Sequence, residues 1–457
     1  AALLIAKANS GYAGNDNSAS VENVQIIWYQ NGANKDGITT GNSKVTTAPK
    51  AAGTMVYSES GIASLLIGSV DANHKLPDEE GKTPQQGTRT NKFTIKNVTI
   101  QAGDFGMNKT VNVGVEGNIA AGMIGEIKSG AVTIGNSDDQ TENWKTNIKI
   151  NGTLTLNAVK EENSVAGGLI GKVADTASSS DDAVTLQKVY LEATTLTMNG
   201  SKDKNNSILG GLIGSVAGGK SIHVENADLI AKSVNGGVGN NQELNAGTTG
   251  GIIGSVTAGT KTTLKNIRFT SAESRLSGKQ AAGGVIGSLA SGEASLESVN
   301  VLATNKNEVE GESQSTVKHF RDIKVASSDN ASLTINADTG SDSAAGGLIG
   351  NVSGQASNLN ITKSSVKTVT ADDKDVNLTV TGANIGGLIG ICGSAATTIG
   401  GDAASEVVLT VQGNFALGRS AQAAGNAGGL IGKIGQNGNT GNITATIQNV
   451  PLTARTM

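Results

Sequence analysis

The sequence is poor in the large and reactive side chains on which most enzymes depend. Of its 457 residues only 2% are aromatic and 16% are charged, and Cys392 is the single cysteine. One cysteine excludes an internal disulfide and a zinc site built from several cysteines. Four prolines exclude collagen and proline-rich stalks. The composition therefore disfavours a compact enzyme and predicts a protein without a catalytic centre.

Charge and hydrophobicity exclude two further classes of partner. The 35 basic and 39 acidic residues leave a net charge of -4, which is too weak and too mixed in sign to favour nucleic acid or an anionic membrane. No run of 18 or more apolar residues occurs, and the start, AALLIAKANS, lacks the basic region of a secretory signal. The sequence predicts no membrane span within these residues.

Glycine, by contrast, is abundant, with 63 copies, and many of them belong to one recurring motif. AGGLIG and its variants occur ten times, at separations that range from 33 to 63 residues. A constant motif at a varying interval indicates a fixed structural unit, or rung, that recurs in every coil and is joined by loops whose length can vary. This is typical of a solenoid. The glycine after the isoleucine, or its equivalent, marks each copy: Ala6, Gly68, Gly125, Gly171, Gly214, Gly254, Gly287, Gly350, Gly390 and Gly432.

A second motif follows most markers and has apolar residues at its first, fourth and sixth places. A spacing of three and then two breaks the strict alternation of a strand, so the chain has to bend at the third place. Asparagine is common there because it tolerates left-handed dihedrals, and stacked copies would form an asparagine ladder. The copies are VENVQI from Val21, IKNVTI from Ile95, LQKVYL from Leu186, VENADL from Val224, LKNIRF from Leu264, LESVNV from Leu296 and IQNVPL from Ile447.

A third motif precedes the next marker and alternates apolar residues with threonine, as a half-buried strand does. We identify TLTLN from Thr153, TLTMNG from Thr195, SLTINA from Ser332, NLTVTG from Asn377 and VLTVQG from Val408. No helical period of comparable strength occurs. The prediction is an all-β fold, a parallel β-helix (β-solenoid) of about ten three-stranded coils with loops of variable length. It forms a single domain over 1–457, with degenerate coils at 1–127 and regular coils at 128–457.

Stacked coils predict that equivalent residues form columns in a narrow, dry interior. The isoleucine present in every marker should form one such column. Leu348 and Ile349 are neighbours, however, and a regular strand would send one of them outward. Either a bend at Gly350 turns Ile349 and Val352 inward, which we favour, or Leu348 and Val352 are core and Ile349 packs under a loop. The marker glycines are explained either by close backbone approach or by dihedrals barred to other residues.

The repeated AGGLIG rung resembles the GLUG-motif repeats of bacterial surface and secreted proteins. The match extends from Ala2 to Ile434, with Leu3 and Ala6 departing from the motif in the first copy. The resemblance implies large, exported, multidomain proteins that are often adhesin-like. Some immunoglobulin-cleaving metallopeptidases carry such repeats beside a separate catalytic domain. It does not identify the bound surface.

Residues that could carry chemistry are few and dispersed. The histidines His74, His223 and His319 show no metal-binding spacing, and we interpret His223 as solvent-facing. Cys392 stands where other copies have valine or isoleucine, so we interpret it as a small buried hydrophobe. The sequence therefore assigns no catalytic, cofactor-binding or metal-ligating residue.

Acidic loops and exposed aromatic residues leave alternatives open. The carboxylate groups belong either to solvated loops or to calcium sites. Such sites would be only partial, because calcium requires six to eight oxygens. Lys318, Arg321 and Asp322 form the densest charged cluster. It is explained either by an inserted loop with salt bridges or by a functional site. The aromatic residues either grip a sugar ring, or cap a solenoid end or pack a loop. The carboxylates are Asp138, Asp139, Asp181, Asp182, Asp372, Asp373 and Asp375, and the aromatic residues are Trp28, Tyr29 and Trp144.

These observations predict a structural and adhesive stalk segment, extracellular or on a bacterial cell surface, that presents loops to an unknown glycan or surface protein. The alternative is a carbohydrate-active β-helix enzyme, a polysaccharide lyase or hydrolase. Carboxylates recurring on one face beside a basic residue would favour that enzyme. Both chain ends cut through coils, at AALLIAKA and shortly after Asn449, which predicts further domains or subunits covering them.

Overall fold

The computed structural model describes most of the chain and is all-β over the described residues. Its only helical element there is a single 3-10 turn, Ala403–Ser405. The residues not described are 1, 3, 10–17, 29–53, 59–60, 72–91, 107–109, 137–143, 160–161, 175–182, 202–205, 218, 220, 238–245, 258–259, 307–321, 324, 326–330, 339, 355, 371–374, 420–424, 436–442 and 457.

The strands form three parallel sheets that wind around one core, which confirms the predicted parallel β-helix. The marker sheet contains Ile5–Asn9, Ile67–Asp71, Ile124–Ser129, Ile170–Val173, Ile213–Val216, Ile253–Val256, Ile286–Leu289, Ile349–Val352, Ile389–Cys392 and Ile431–Ile434. The short-strand sheet contains Ile62–Ser64, Ile119–Ala121, Val165–Gly167, Ile208–Gly210, Thr248–Gly250, Ala281–Gly283, Ala344–Gly346, Asn384–Gly386 and Ala427–Gly428.

The third sheet, the ribbon sheet, has 18 strands, many of them long and bent. It contains Ser18–Trp28, Thr54–Tyr57, Lys92–Ala102, Val113–Gly117, Ala131–Gly135, Thr146–Ala158, Ala183–Gly200, Ser221–Gly236, Lys261–Gly278, Glu293–Thr304, Ser332–Ala337, Asn358–Thr362, Ser365–Val369, Asn377–Gly382, Ala396–Gly400, Val408–Arg419, Thr444–Gln448 and Leu452–Thr456.

The three sheets divide the motifs differently from the prediction. Nine of the ten AGGLIG markers are shared between the short-strand sheet and the marker sheet, and the first copy adds only a single bridge from Ala2 to Ser64. The second and third motifs, by contrast, join into one continuous strand in coils such as that of Ala183–Gly200.

The isoleucine column is confirmed through all ten markers. Ile5 pairs with Ile67 at one end, and Ile389 pairs with Ile431 at the other, through an unbroken series of parallel register partners. The eight isoleucines between the first and the last are fully buried. Aliphatic residues of equal size therefore stack through the core, as the repeated motif predicts.

The marker orients Ile349 and Val352 inward, as the favoured alternative predicts, and it also buries Leu348. Leu348, Ile349 and Val352 are all fully buried in the same core. The short strand Ala344–Gly346 ends before Gly347, and the next strand begins at Ile349. The chain turns at Gly347 and Leu348, so Leu348 reaches the core from the turn between two sheets and Ile349 reaches it from the marker sheet.

Close backbone approach, and not a special dihedral, explains the second glycine of the marker. A Cβ on Gly168 would lie 1.9 Å from the carbonyl oxygen of Gly211, and one on Gly211 would lie 1.9 Å from that of Gly251. The same relation joins Gly251 to Gly284 at 2.0 Å. Each such glycine therefore packs directly against its counterpart in the next coil, and a side chain at any of these three positions would meet that backbone.

The bend at the third place of the second motif is confirmed in all seven copies. Their third residues have φ between 49° and 56°, in the left-handed region. Two ladder steps are present, because Asn97 Nδ2 donates to Asn23 Oδ1 at 3.1 Å and Asn266 Nδ2 donates to Asn226 Oδ1 at 3.1 Å. The seven residues are Asn23, Asn97, Lys188, Asn226, Asn266, Ser298 and Asn449.

The asparagine corner yields a direct stability prediction. Asn266→Ala should destabilise the protein by about 1–2 kcal/mol, because alanine is strained at a φ of 52° and the ladder bond is lost. Asn266→Gly should cost less, since glycine accepts the same φ and loses only the ladder bond. Urea denaturation of the two variants tests this order. An alanine variant as stable as the glycine variant would show that the corner carries no strain.

One copy of the third motif lies in a different part of the ribbon from the one that the sequence predicts. VLTVQG begins at Val408, but Val408 pairs with Ser365 and Leu409 with Val366, which belong to the middle of the ribbon. The third-motif position in that coil is occupied by Phe415, which pairs with Leu378 of NLTVTG. Alternation with threonine occurs in both halves of the ribbon, so the pattern alone does not distinguish them.

Candidate functional site

Charged and aromatic side chains from several coils meet on the outer face of the ribbon sheet. Tyr190, Asp228 and Arg268 are successive register partners in three neighbouring coils. Lys149 and Glu192 are register partners in the adjacent row. We call these five residues the ribbon cluster. Stacking in register places residues from separate repeats side by side, because equivalent positions of adjacent coils lie about 4.8 Å apart.

A bidentate ion pair between Arg268 and Asp228 occupies the centre of the ribbon cluster. Arg268 Nε donates to Asp228 Oδ1 at 2.8 Å, and its Nη2 donates to Oδ2 at 2.6 Å. The Asp228 side chain is 1% exposed and that of Arg268 is 20% exposed. The Arg268 guanidinium also lies 6.0 Å from the centroid of the Trp144 ring. Trp144 therefore packs against a cation at this face, which agrees with the packing interpretation of this residue.

The long interval between Gly287 and Gly350 returns to cover the ribbon cluster. The backbone N–H groups of Asp322 and Ile323 donate to Glu192 Oε1 at 2.7 Å and 3.1 Å, and Lys149 Nζ donates to Asp322 Oδ2. We call residues 322, 323 and 325 the strap. The strap thus contacts Lys149 and Glu192, which belong to two earlier coils.

Apolar contacts hold the strap beside these polar ones. Ile323 and Val325 are buried and form a small cluster with Ile230 and Ala272, against which Phe105 packs. Ile230 belongs to the same outer row as Glu192. The strap consequently shields outward-facing apolar residues of the ribbon that would otherwise contact water.

Burial and charge change two proton affinities in this cluster. Burial is the main cause that raises the pKa of Glu192; the carboxylate of Asp322 adds to it, while the two backbone N–H groups and Lys149 oppose it. Burial acts to lower the pKa of Lys149, but Tyr190 and Asp322 outweigh it, so the pKa is raised. The Lys149 ammonium also lies 5.7 Å from the centroid of the Tyr190 ring. Glu192 is thus held toward its neutral form, and Lys149 toward its charged form.

The structure brings together only part of the residues singled out from the sequence. Asp322 belongs to the strap, and Asp375 pairs with Arg455 at 3.3 Å. The backbone of Trp28 ends a strand. The other residues fall outside the described part of the chain: Tyr29, His74, Asp138, Asp139, Asp181, Asp182, Lys318, His319, Arg321, Asp372 and Asp373.

Cys392 and His223 have the environments expected from the sequence. Cys392 is fully buried in the marker column beside Val352, its Sγ lies 3.1 Å from Thr397 Oγ1, and burial raises its thiol pKa. A raised pKa disfavours the reactive thiolate. His223 is in register with Thr185 and Thr263 on the outer face and lies 3.5 Å from the Glu225 carboxylate.

The ribbon cluster was not predicted as a unit. Its members come from repeats at different sequence distances, and each one alone resembles an ordinary outward-facing polar residue. An alignment of the second motifs contains the signal, since Tyr190, Asp228 and Arg268 occupy the fifth place of LQKVYL, VENADL and LKNIRF.

Within the described residues, no group of three or more histidine, cysteine, aspartate or glutamate side chains is arranged to hold a metal ion. In the same part of the chain, no helix has the length and apolar character needed to cross a membrane. Comparison with known proteins found no matching family model, no matching curated protein and no matching solved structure.

The central ion pair predicts a contrast between buried and exposed charges. Asp228→Ala should destabilise the protein by about 2–3 kcal/mol, because it leaves the Arg268 guanidinium without its carboxylate in a partly buried place. Glu293→Ala removes a pair in which both side chains are more than half exposed and should cost under about 0.5 kcal/mol. Chemical denaturation measures both variants. Equal losses would contradict the role given to burial.

Proposed function

We propose that the chain is a structural and adhesive stalk segment of a bacterial surface or secreted protein. The observation that supports the proposal is that the coils stack in a constant register although the segments that connect them differ in length. Gly254 and Gly287 are 33 residues apart, and Gly287 and Gly350 are 63 apart. The isoleucines of these three markers nevertheless pair in the same register. A rigid core that tolerates such insertions is suited to presenting loops.

The proposed partner is a glycan or a surface protein, bound by the connecting segments. The core itself offers little binding chemistry, because its columns are aliphatic and its marker glycines are packed against backbone. The extracellular, bacterial location rests on the resemblance of the AGGLIG rung to GLUG repeats. Further domains or subunits at both ends stay a prediction.

A binding array of glycans and matrix proteins, probed with the purified chain, tests the adhesive role. We expect saturable binding to a restricted class of ligands. That binding should be lost when the segment 307–321 is replaced by a short glycine-serine linker, or when another long connecting segment is replaced in the same way. Core variants are unsuitable here because they unfold the coils. Absence of binding to every class on the array would contradict an adhesive role.

A carbohydrate-active enzyme is the second candidate, and the ribbon cluster favours it. Glu192, Asp228 and Asp322 place carboxylates on one face beside Lys149 and Arg268, the arrangement that would indicate such an enzyme. Against it, Asp228 is engaged by Arg268 and the strap covers Glu192. A lyase and hydrolase assay across acidic and neutral polysaccharides decides between the candidates. If the wild-type chain turned over a polysaccharide and Glu192→Gln did not, the enzyme would replace the stalk as the proposed function.

A further inference from the structure

An amine and two carboxyl groups converge where the strap meets the ribbon sheet. Lys149 Nζ contacts Asp322 Oδ2 directly. Glu192 is the cross-strand partner of Lys149, and its Oε1 accepts the backbone N–H of Asp322 at 2.7 Å. Lys149 and Asp322 are 173 residues apart in the chain. Two independent elements, the ribbon and the inserted segment, therefore hold an amine against a carboxylate oxygen, with a second carboxyl group close to both.

The second carboxyl group has properties that a surface ion pair does not require. Glu192 is fully buried, and its Oε2 atom has no hydrogen-bond partner among the described residues. Burial, together with the Asp322 carboxylate, raises its pKa and favours the neutral acid. An acid of this kind can donate and recover a proton at the contact between Lys149 and Asp322. The Tyr190 ring beneath the Lys149 ammonium forms one wall of the contact.

We propose that Lys149 and Asp322 join through an intramolecular isopeptide bond, with Glu192 as the proton-transfer group. The structure then represents the arrangement that precedes the covalent bond. Lys149 and Asp322 are the reacting groups, and the strap becomes a covalent cross-brace between coils that are not neighbours.

The reaction balances without any further reactant. A proton passes from the Lys149 ammonium to the Asp322 carboxylate, which gives a neutral amine and a neutral acid. The amine lone pair attacks Cγ of Asp322 and forms the C–N bond, while Glu192 gives a proton to a departing oxygen and receives one from the nitrogen. The C–O bond breaks and one water leaves. Lysine and aspartate are converted to an amide and water, and Glu192 is restored.

Proximity accelerates the reaction, because two reacting groups held in a well-oriented intramolecular contact have a very high effective concentration. Two other ion pairs of the described residues each lack one feature that the reaction needs, a sheltered amine in the first and a nucleophile in the second. Lys363 Nζ lies 2.9 Å from Glu297 Oε1, but the Lys363 side chain is 48% exposed, against 24% for Lys149. Arg268 is paired with Asp228, and a guanidinium that stays protonated is not a nucleophile. The Lys363 and Glu297 pair is therefore the internal control.

The bond would change how the solenoid unfolds. In a solenoid each coil is held by its neighbours alone, whereas this link connects the coil of Lys149 to the coil of Asp322 and closes a long loop in the unfolded chain. This inference does not rest on the proposed adhesive role, since the bond can form whether or not the loops bind a ligand.

Intact-mass measurement of the folded and then denatured full chain tests the proposal. We expect a deficit of about 18 Da, one water, relative to the mass of the sequence. Proteolysis should release a branched peptide that contains Lys149 and Asp322, with Lys363 and Glu297 unlinked. A wild-type chain that keeps its full mass after prolonged incubation in the folded state would overturn the proposal.

Three variants separate covalent chemistry from simple packing. Lys149→Arg keeps the charge but should show no deficit, and Asp322→Ala should show none. Glu192→Gln keeps an oxygen that accepts the strap N–H groups, yet it should slow formation of the bond by at least about 100-fold. Circular dichroism confirms that each variant is folded. A deficit in Lys149→Arg, or bond formation at the wild-type rate in Glu192→Gln, would contradict the assigned roles.

Discussion

Ile253→Asp should destabilise the protein more than any other single change considered. Ile253 is fully buried in the isoleucine column between Ile213 and Ile286. A carboxyl group in a dry interior has its pKa raised by roughly 3–5 units, which corresponds to about 4–7 kcal/mol at neutral pH. Thermal and chemical denaturation should show loss of the coils around residue 253, because each coil depends on its neighbours.

Ser255→Asp is the matched control in the same strand. Ser255 pairs with Ser215 and Ser288 in the outward row of the marker sheet and is partly exposed. Its replacement should change stability by no more than about 0.5 kcal/mol. If the two aspartate variants had the same melting temperature, the assignment of inward and outward faces in the marker sheet would be wrong.

Gly211→Ala should also be strongly destabilising, although it adds only one methyl group. That methyl would lie 1.9 Å from the carbonyl oxygen of Gly251 and 2.5 Å from Leu229 Cδ2. Leu229 can move, but a backbone oxygen in the adjacent coil cannot move without shifting the coil. We expect a loss of about 3 kcal/mol or more, at the upper end of overpacking costs.

Gly340→Ala provides the comparison, because a methyl at Gly340 would meet no atom within 4 Å. It should be close to neutral in thermal denaturation. Hydrogen exchange should further show that Gly211→Ala loosens the amides of its own and the following coil before distant ones. A Gly211→Ala protein with wild-type stability would mean that the coils are not packed as closely as the glycine column requires.

The repeated parts of the fold could be predicted from the sequence because repetition itself carries the signal. Ten isoleucines at a constant place in a motif specify a column, and asparagine at a constant corner specifies a bend with positive φ. The split of the marker between two sheets was harder to predict, since Leu348 and Ile349 both reach the core only because the chain turns at Gly347. Periodicity describes a strand but does not show where one sheet ends.

The strap and the ribbon cluster could not be predicted for a different reason. Ile323 and Val325 are ordinary apolar residues within a long polar interval, and nothing local relates them to Ile230. Asp322 was recognised as part of a charged cluster, but its partner Lys149 lies 173 residues earlier. Contacts of this kind join an inserted segment to residues of much earlier coils, and such a pairing leaves no periodic trace in the sequence.

Distances between spin labels along the marker sheet test the central claim, an in-register stack of coils, most directly. In a Cys392→Ala background, cysteine replaces Lys172 together with either Asn351 or Lys433, which belong to one outward row at four and six coil steps from Lys172. Stacking predicts backbone separations of about 19 Å and 29 Å, which electron-electron double resonance can resolve. Separations that do not grow with the number of coils would contradict the β-helix.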